Sequence, residues 1–171
     1  MSESARPVVL IPGKELFPIL REAFERDPDA VVALTTSGLS MYPMLRHRKD
    51  VVYLTKLHAP PKKYDVVLFQ RESGAYALHR VVRVDRDGTF VFCGDNQTEL
   101  ERGIRDDQLV AVVESFRRSG VRIDCRKSIA YALYARLQTS SRLLRKAARA
   151  VVGRFKRPLK YLLQKKKRPG S

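Results

Sequence analysis

A serine and a histidine in separate segments carry the side chains that nucleophilic catalysis needs. Ser40 lies in the segment SGLSMYPM, in a turn that a glycine permits. His79 lies in YALHRVV, where strand alternation places it on one face with Ala77 and Val81. Small and apolar neighbours desolvate an imidazole, which keeps it neutral near pH 7 and able to accept a proton. The pattern suits a serine activated by a base; the alternatives are a solvated loop serine and a core histidine bonded to backbone groups.

A predicted hairpin brings a carboxylate towards His79. The turn DRDG connects the strand of His79 to the segment CGDNQ. A four-residue loop puts His79 opposite Gly94, and a two-residue loop puts it opposite Asn96, so Asp95 is within one residue of the facing position either way. Asp95 has the wrong strand parity in an ideal ladder, but Gly94 can end the strand and release that constraint. Asp95 is then either the carboxylate that orients the imidazole, as in a serine triad, or a turn former.

The elements that hold these residues predict a mainly β body with a short helix in front. Helical spacing of Phe17, Leu20 and Phe24 predicts the helix, which ends at Asp27-Pro28. Short runs of apolar residues between turn signals predict six strands: Val31–Thr36, Asp50–Leu54, Asp65–Gln70, Tyr76–Val84, Thr89–Cys93 and Gln108–Phe116. Such a succession predicts a compact, coiled β fold.

The net charge of +16 lies in the last third of the chain. Residues 1–116 carry nearly equal numbers of basic and acidic residues, whereas residues 117–171 carry 18 basic residues and one acid, Asp124. This contrast predicts a β domain over 1–116 and a basic helical tail over 117–171. Apolar residues recur along the tail at mostly three- and four-residue steps and predict an amphipathic helix: Ile129, Leu133, Leu137, Leu144, Ala148, Val152, Phe155, Leu159 and Leu163.

Composition also bounds the partners and the location. The two cysteines lack metal-site spacing and indicate reduced thiols, and we expect neither a metal nor another cofactor. We see no signal peptide and no apolar stretch long enough to span a bilayer, so we expect a cytoplasmic protein peripheral to the membrane. Packing on the protein's own β body would satisfy the apolar stripe of the tail, but the stripe and the basic charge together favour an anionic membrane surface as its partner. Specific nucleic-acid binding is not expected, because there is no recognition motif or aromatic stacking platform.

Five segments between Thr35 and roughly Val113 resemble, in order, the catalytic domain of type I signal peptidases of the ER/archaeal branch. They are SGLSMYPMLRHRKDVVYL, YDVVLF, LHRVVRV, FVFCGDNQ and RDDQLVAVV. That branch has a Ser-Gly-x-Ser-Met-x-Pro box, then a His-Arg box and a Gly-Asp-Asn box. The resemblance implies a β-barrel-like signal-peptidase fold, which self-cleaving phage-repressor peptidases share. Those peptidases use a lysine where this chain has His79, and they carry a DNA-binding domain in front.

The resemblance also implies roles for individual residues. Ser40 is the implied nucleophile and His79 the implied general base. For the third member it offers Asp95, which we rank first, or Glu101, which stands where relatives carry an Asp pair. Met41 is implied to help fix the backbone so that amides near the serine face a developing oxyanion.

A second hydroxyl, that of Ser37, is by weak analogy a further donor to the oxyanion. The implied function is a serine endopeptidase that cleaves a precursor or leader peptide. The alternative is a non-catalytic peptide-binding module docked on membrane by the basic tail. Lys49 and Tyr64 motivate this alternative, because the family usually has glycine at both turn positions and other residues restrict positive φ there.

Overall fold

A computed structural model describes residues 16–142 together with residues 144 and 147. Its elements, in chain order, are α1 (Leu16–Arg26), β1 (Val32–Thr35), β2 (Val51–Thr55), β3 (Val66–Gln70), β4 (Tyr76–Val84), β5 (Phe90–Cys93), β6 (Glu101–Ile104), a 3-10 turn (Asp106–Gln108), β7 (Leu109–Arg118), β8 (Val121–Asp124) and α2 (Ile129–Ser140). The predicted helix and all six predicted strands are confirmed, the strands to within two residues at either end. The predicted tail positions from Ala148 onward lie outside the described residues.

The eight strands form one antiparallel sheet in the order β1-β2-β7-β3-β4-β5-β6, with β8 paired to β7. This confirms the mainly β fold. Closure into a barrel, which the family resemblance implied, is not found among the described strands. The reason is that β1 pairs only with β2 and β6 only with β5, so these two four-residue strands end the sheet.

Two strands, β6 and β8, were not predicted. β6 reads ERGI and has a single apolar residue, whereas β8 reads VRID, which alternates but is only four residues long. Both form because a neighbouring strand offers a free edge: β6 pairs with β5, and β8 pairs with the second half of β7.

The sheet buries residues on both faces. Along β3, Val66 and Leu68 join a cluster that includes α1, whereas Val67 and Phe69 join a second cluster on the other face. The rings of Phe69 and Phe92 stack with centroids 4.4 Å apart although β4 lies between their strands. Strands two apart in a flat sheet are separated by about 10 Å. The sheet must therefore curl towards this second cluster.

The packed body continues past residue 116. β7 runs through that position, β8 turns back on β7, and α2 then packs Tyr131 and Ala135 into the structure. The side chain of Ser128 accepts a hydrogen bond from the Tyr131 amide and so caps the start of α2. Among the described residues, no helix combines the length and the hydrophobicity that crossing a bilayer requires.

Candidate active site

A buried ion pair joins the His-Arg and Gly-Asp-Asn segments. Arg80 is 1% exposed, and its Nε and Nη2 donate to the two carboxylate oxygens of Asp95 at 2.8 and 2.7 Å. Burial alone would lower the pKa of Arg80, but the hydrogen bonds and the charge of Asp95 raise it above its usual range. A buried pair of this kind is stabilising only when both partners are fully hydrogen-bonded. The N–H groups of Arg80 that do not bind Asp95 also have acceptors, so the guanidinium is fully hydrogen-bonded.

The remaining contacts of Arg80 tie three further segments to this pair. Its Nη1 donates to the backbone oxygen of Tyr64 and to the hydroxyl of Tyr131, both at 2.9 Å, and its Nη2 lies 3.2 Å from the sulfur of Met44. Tyr64 has a φ of 85°, unusual for a residue with a side chain. The Arg80 bond and the bond from its own amide to the Val81 oxygen at 2.8 Å hold it there without the glycine usual in the resembled family.

Helix α2 completes the enclosure of Asp95. The hydroxyl of Tyr134 donates to Oδ2 of Asp95 at 2.9 Å, and the side-chain amide of Gln138 donates to its backbone oxygen at 2.8 Å. Arg142, just beyond the helix, donates to the Thr98 backbone oxygen at 3.0 Å. The segment predicted to be a tail thus contains a helix that packs on the Gly-Asp-Asn turn.

The loop that carries Ser40 is closed by its own side chains. The Gly38 amide donates to Nδ1 of His47 at 2.8 Å, so the exposed His47 side chain holds the loop. Gly38 has a φ of 100°, which confirms that this turn requires glycine. At the far end of the loop, the buried carboxylate of Asp50 accepts from the Arg46 amide at 2.8 Å and pairs with its guanidinium at 2.7 Å.

This loop docks on the Gly-Asp-Asn turn through its backbone. The backbone amide of Asn96 donates to the backbone oxygen of Ser40 at 2.7 Å, and the side-chain amide of Asn96 donates to the backbone oxygen of Leu39 at 3.2 Å. A Cβ added at Gly94 would lie 2.7 Å from the same Ser40 oxygen. Glycine is therefore needed at position 94 because the Ser40 backbone occupies the space of a side chain.

The register of the β4–β5 hairpin relates this contact to His79. Arg80 pairs with Cys93, which is the register predicted for a four-residue loop. The pairs nearer the turn are shifted by one residue, so a bulge between Val81 and Arg83 produces the register at the site. Continued by one residue, that register puts Gly94 opposite His79, and facing residues in a ladder share a face. The Ser40 backbone thus lies against the position that faces His79.

His79 itself lies in the second core cluster and contacts a carboxylate there. It is 2% exposed and packs edge-on against Phe69. Its Nδ1 lies 2.7 Å from Oε1 of Glu101, an ion-pair distance, although the oxygen is off the line of a linear hydrogen bond. Glu101 reaches His79 from β6, across the intervening strand β5, because the sheet curls.

Arg71, at the end of β3, holds the other side of the Glu101 carboxylate. Its Nε donates to Oε2 at 2.5 Å and its Nη2 to Oε1 at 2.9 Å. A two-pronged contact of this type fixes the plane of a carboxylate. His79, Glu101 and Arg71 therefore form one connected group from three strands.

The electrostatics of this group favour a neutral imidazole beside an ionised carboxylate. Burial lowers the pKa of His79, the charge of Glu101 opposes that effect in part, and the charge of Arg71 lowers it further. Burial alone would raise the pKa of Glu101, but the hydrogen bonds from Arg71 and the proximity of His79 outweigh it and keep that pKa below its usual range. With a proton on Nδ1 facing Glu101, the lone pair of Nε2 is left to act as a base.

The carboxylate next to His79 is therefore Glu101 and not Asp95, which the sequence analysis ranked first. Strand alternation explains the difference. Cys93 faces Arg80, and Asp95, two residues on, has the same parity and binds Arg80 instead of the imidazole on the opposite face. Arg71 was missed altogether, because an arginine at a strand end has no distinctive sequence pattern.

The three loop candidates lie in different environments. Ser40 is partly buried, Ser37 is exposed, and Met41 is 5% exposed in the core cluster that includes α1. Among residues 16–142, no hydrogen bond joins the Ser40 hydroxyl to His79. The structure thus brings His79 together with Glu101, and the Ser40 backbone together with Gly94 and Asn96.

A largely apolar groove with a volume of about 320 Å³ runs beside the Ser40 loop. Six residues account for most of its lining: Met44, Phe116, Arg118, Ile123, Tyr131 and Tyr134. Arg118 also donates from Nη1 to the Pro43 backbone oxygen at 2.5 Å, which ties the loop to β7 at the edge of the groove.

Comparison of the chain with protein-family models, with curated proteins and with solved structures finds no match.

Asp95→Asn should destabilise the fold strongly. The substitution leaves the buried Arg80 guanidinium without its counter-charge, a change that costs about 3–5 kcal/mol in buried pairs. Asp85→Asn is the matched control, because Asp85 pairs with the largely exposed Arg83 and should change the free energy of unfolding by less than about 1 kcal/mol. Urea unfolding measures both; equal effects would contradict a structural role for the Arg80–Asp95 pair.

Arg71→Gln should raise the pKa of His79. The substitution removes a positive charge that lowers this pKa and leaves Glu101 to stabilise the imidazolium. NMR titration of the imidazole resonances measures the shift directly, since the chain has only three histidines. Arg83→Gln, in the exposed pair with Asp85, should leave the titration of His79 unchanged. An unchanged or lower pKa in Arg71→Gln would show that the contact is not formed in solution.

Gly94→Ala should displace the Ser40 loop. The added methyl group would lie 2.7 Å from the backbone oxygen of Ser40, so the hydrogen bond from the Asn96 amide to that oxygen must lengthen or break. Hydrogen exchange of the Asn96 amide should become faster. Gly74→Ala is the control, because position 74 has a φ of 80° but open space around it, so it adds backbone strain without touching the loop. Equal Asn96 protection in both variants would contradict the docking of the loop.

Proposed function

We propose that this protein is a serine endopeptidase of the signal-peptidase type that cleaves a precursor or leader peptide. Ser40 is the nucleophile, His79 the general base and Glu101 the carboxylate that orients it. The contact between Nδ1 of His79 and Glu101 carries the proposal, since it leaves Nε2 as the proton acceptor. The order of the resembling segments along the chain supports the proposal.

The reaction divides into two halves with the same base. The hydroxyl oxygen of Ser40 attacks the scissile carbonyl carbon while the hydroxyl proton passes to Nε2 of His79. Glu101 stabilises the imidazolium that results. The imidazolium then gives this proton to the leaving amine as the carbon–nitrogen bond breaks, which leaves an acyl ester on Ser40. Water, deprotonated by the same nitrogen, hydrolyses the ester and restores the serine.

Preorganised backbone around Ser40 supports stabilisation of the oxyanion. Asn96 and His47 hold the loop through hydrogen bonds, and Met41, the residue after the serine, is buried in the core. Fixed amides in such a loop cost no reorganisation when charge develops on the carbonyl oxygen. The exposed Ser37 is a candidate second donor.

Features beside the serine favour an extended apolar peptide as the substrate. Leu39 and Tyr42, on either side of Ser40 and Met41, are both exposed large hydrophobic side chains. The groove lined by Met44 and Phe116 starts from the same loop. A peptide bound along this loop would bring the Ser40 hydroxyl within about 3 Å of His79, a contact that often forms only with substrate bound.

A non-catalytic peptide-binding module is the second candidate. It is favoured by the lack, among the described residues, of a hydrogen bond between Ser40 and His79. Under this alternative the groove still holds peptide, and neither Ser40→Ala nor His79→Ala changes its affinity.

Cleavage of a proteome-derived peptide library by the full chain separates the two. Mass spectrometry should find new peptide termini with the wild type. Ser40→Ala and His79→Ala should lower the rate by about 10³-fold or more, and Glu101→Gln by about 10²- to 10⁴-fold. Ser73→Ala, at an exposed turn, is the control that should keep full activity. Equal cleavage by Ser40→Ala would exclude the peptidase, and peptide binding without turnover in the wild type would select the binding module.

A further inference from the structure

Helix α2 presents two opposite faces of different character. Tyr131 and Ala135 are buried against the sheet and its loops. Three apolar residues spaced four apart lie on the other side and are exposed by 78%, 61% and 68%: Ile129, Leu133 and Leu137. Leu144, 73% exposed, extends the same stripe. We call these four residues the outer stripe.

The outer stripe does not pack on the β body. The sequence alone allowed these side chains to be satisfied by the protein's own sheet, but that contact is made by Tyr131, Tyr134 and Ala135 instead. Isolated exposed leucines are common, whereas a continuous helical row of them indicates a surface that is covered in use.

Basic residues surround the outer stripe. Arg126, Lys127 and Arg136 are exposed, at the start of α2 and between the leucines. The single acid of residues 117–171, Asp124, already accepts the amides of Arg126 and Lys127. The stretch that contains the stripe therefore holds 18 basic residues against one carboxylate.

We propose that the outer stripe docks on an anionic lipid surface. Apolar side chains then enter the headgroup boundary while the flanking arginines and lysines bind lipid phosphates, as in interfacial amphipathic helices. A second copy of this chain is disfavoured, because it would bring two strongly basic surfaces together. Nucleic acid would use the charge and leave the leucines exposed. An anionic lipid surface satisfies both features.

Docking would also place the candidate active site beside the membrane, a consequence that rests on the proposed function. The inner face of α2 holds Asp95 through Tyr134 and Gln138, and the Asp95 turn holds the Ser40 loop through Asn96. The substrates would then be precursors at the same membrane. The lipid contact itself needs no catalysis.

Sedimentation of the full chain with vesicles tests the docking. The wild type should bind vesicles of mixed phosphatidylglycerol and phosphatidylcholine, and it should bind vesicles of phosphatidylcholine alone far more weakly. The double variant Leu133→Gln, Leu137→Gln should bind the mixed vesicles at least about tenfold more weakly, from the lost burial of two leucines. Glutamine favours helix and both positions are exposed, so the fold is kept.

Two controls separate this proposal from the others. Ile19→Gln removes an exposed apolar residue from α1 and should bind as the wild type does. Ser40→Ala should also bind equally, so loss of cleavage and loss of docking are read independently. Equal binding to both vesicle types, or a double variant that binds within about twofold of the wild type, would overturn the proposal. Light scattering without lipid gives a further test. A wild-type dimer together with a monomeric double variant would overturn the proposal too, since a second copy would then cover the stripe.

Discussion

The buried pair of Arg80 and Asp95 is the interaction on which the rest of the structure depends. One guanidinium holds β4, the Gly-Asp-Asn turn, the Ser40 loop at Met44 and the helix α2 at Tyr131. A buried charge of this kind is tolerated only while every donor has an acceptor, so the segments are mutually dependent. Because His79 precedes Arg80 on the same strand and points to the opposite face, the pair that fixes Arg80 also fixes the strand that carries the candidate base.

The two carboxylates near the site do different work because they lie on different faces of the sheet. Asp95 is 4% exposed, and its carboxylate accepts hydrogen bonds from Arg80 and Tyr134, which makes it part of the framework. Glu101 is shared between Arg71 and His79, which leaves it able to respond to a change in the charge of the imidazole. Burial and, to a smaller extent, the charge of Arg71 lower the pKa of His79, and the hydrogen bonds from Arg71 keep Glu101 ionised. A neutral imidazole is the resting state that a general base requires.

Much of the framework could be predicted from local patterns, and the errors have a common physical cause. The β4–β5 hairpin followed from turn chemistry and alternation, although a bulge between Val81 and Arg83 sets its register near His79. The partner of His79 did not, because Glu101 reaches it across β5 through the curl of the sheet, and curl leaves no mark on a local pattern. Parity alone argued against Asp95, and the structure obeys parity. The same limit applies to α2: the apolar period predicted a helix, but not that polar and aromatic side chains would pack inward while Ile129 and Leu133 faced outward.

The reactivity of a thiol at position 40 tests most directly whether the serine and the imidazole act together. In Ser40→Cys, alkylation by iodoacetamide against pH reports the thiol pKa, with little background because Cys93 is buried and burial raises the pKa of Cys125 to about 12. If His79 accepts the proton of residue 40, the thiol titrates well below the ordinary value of about 8.5, and adding His79→Ala returns it to that value. A thiol pKa that is the same with and without His79 would show that the two side chains never meet, and the proposed mechanism would fall.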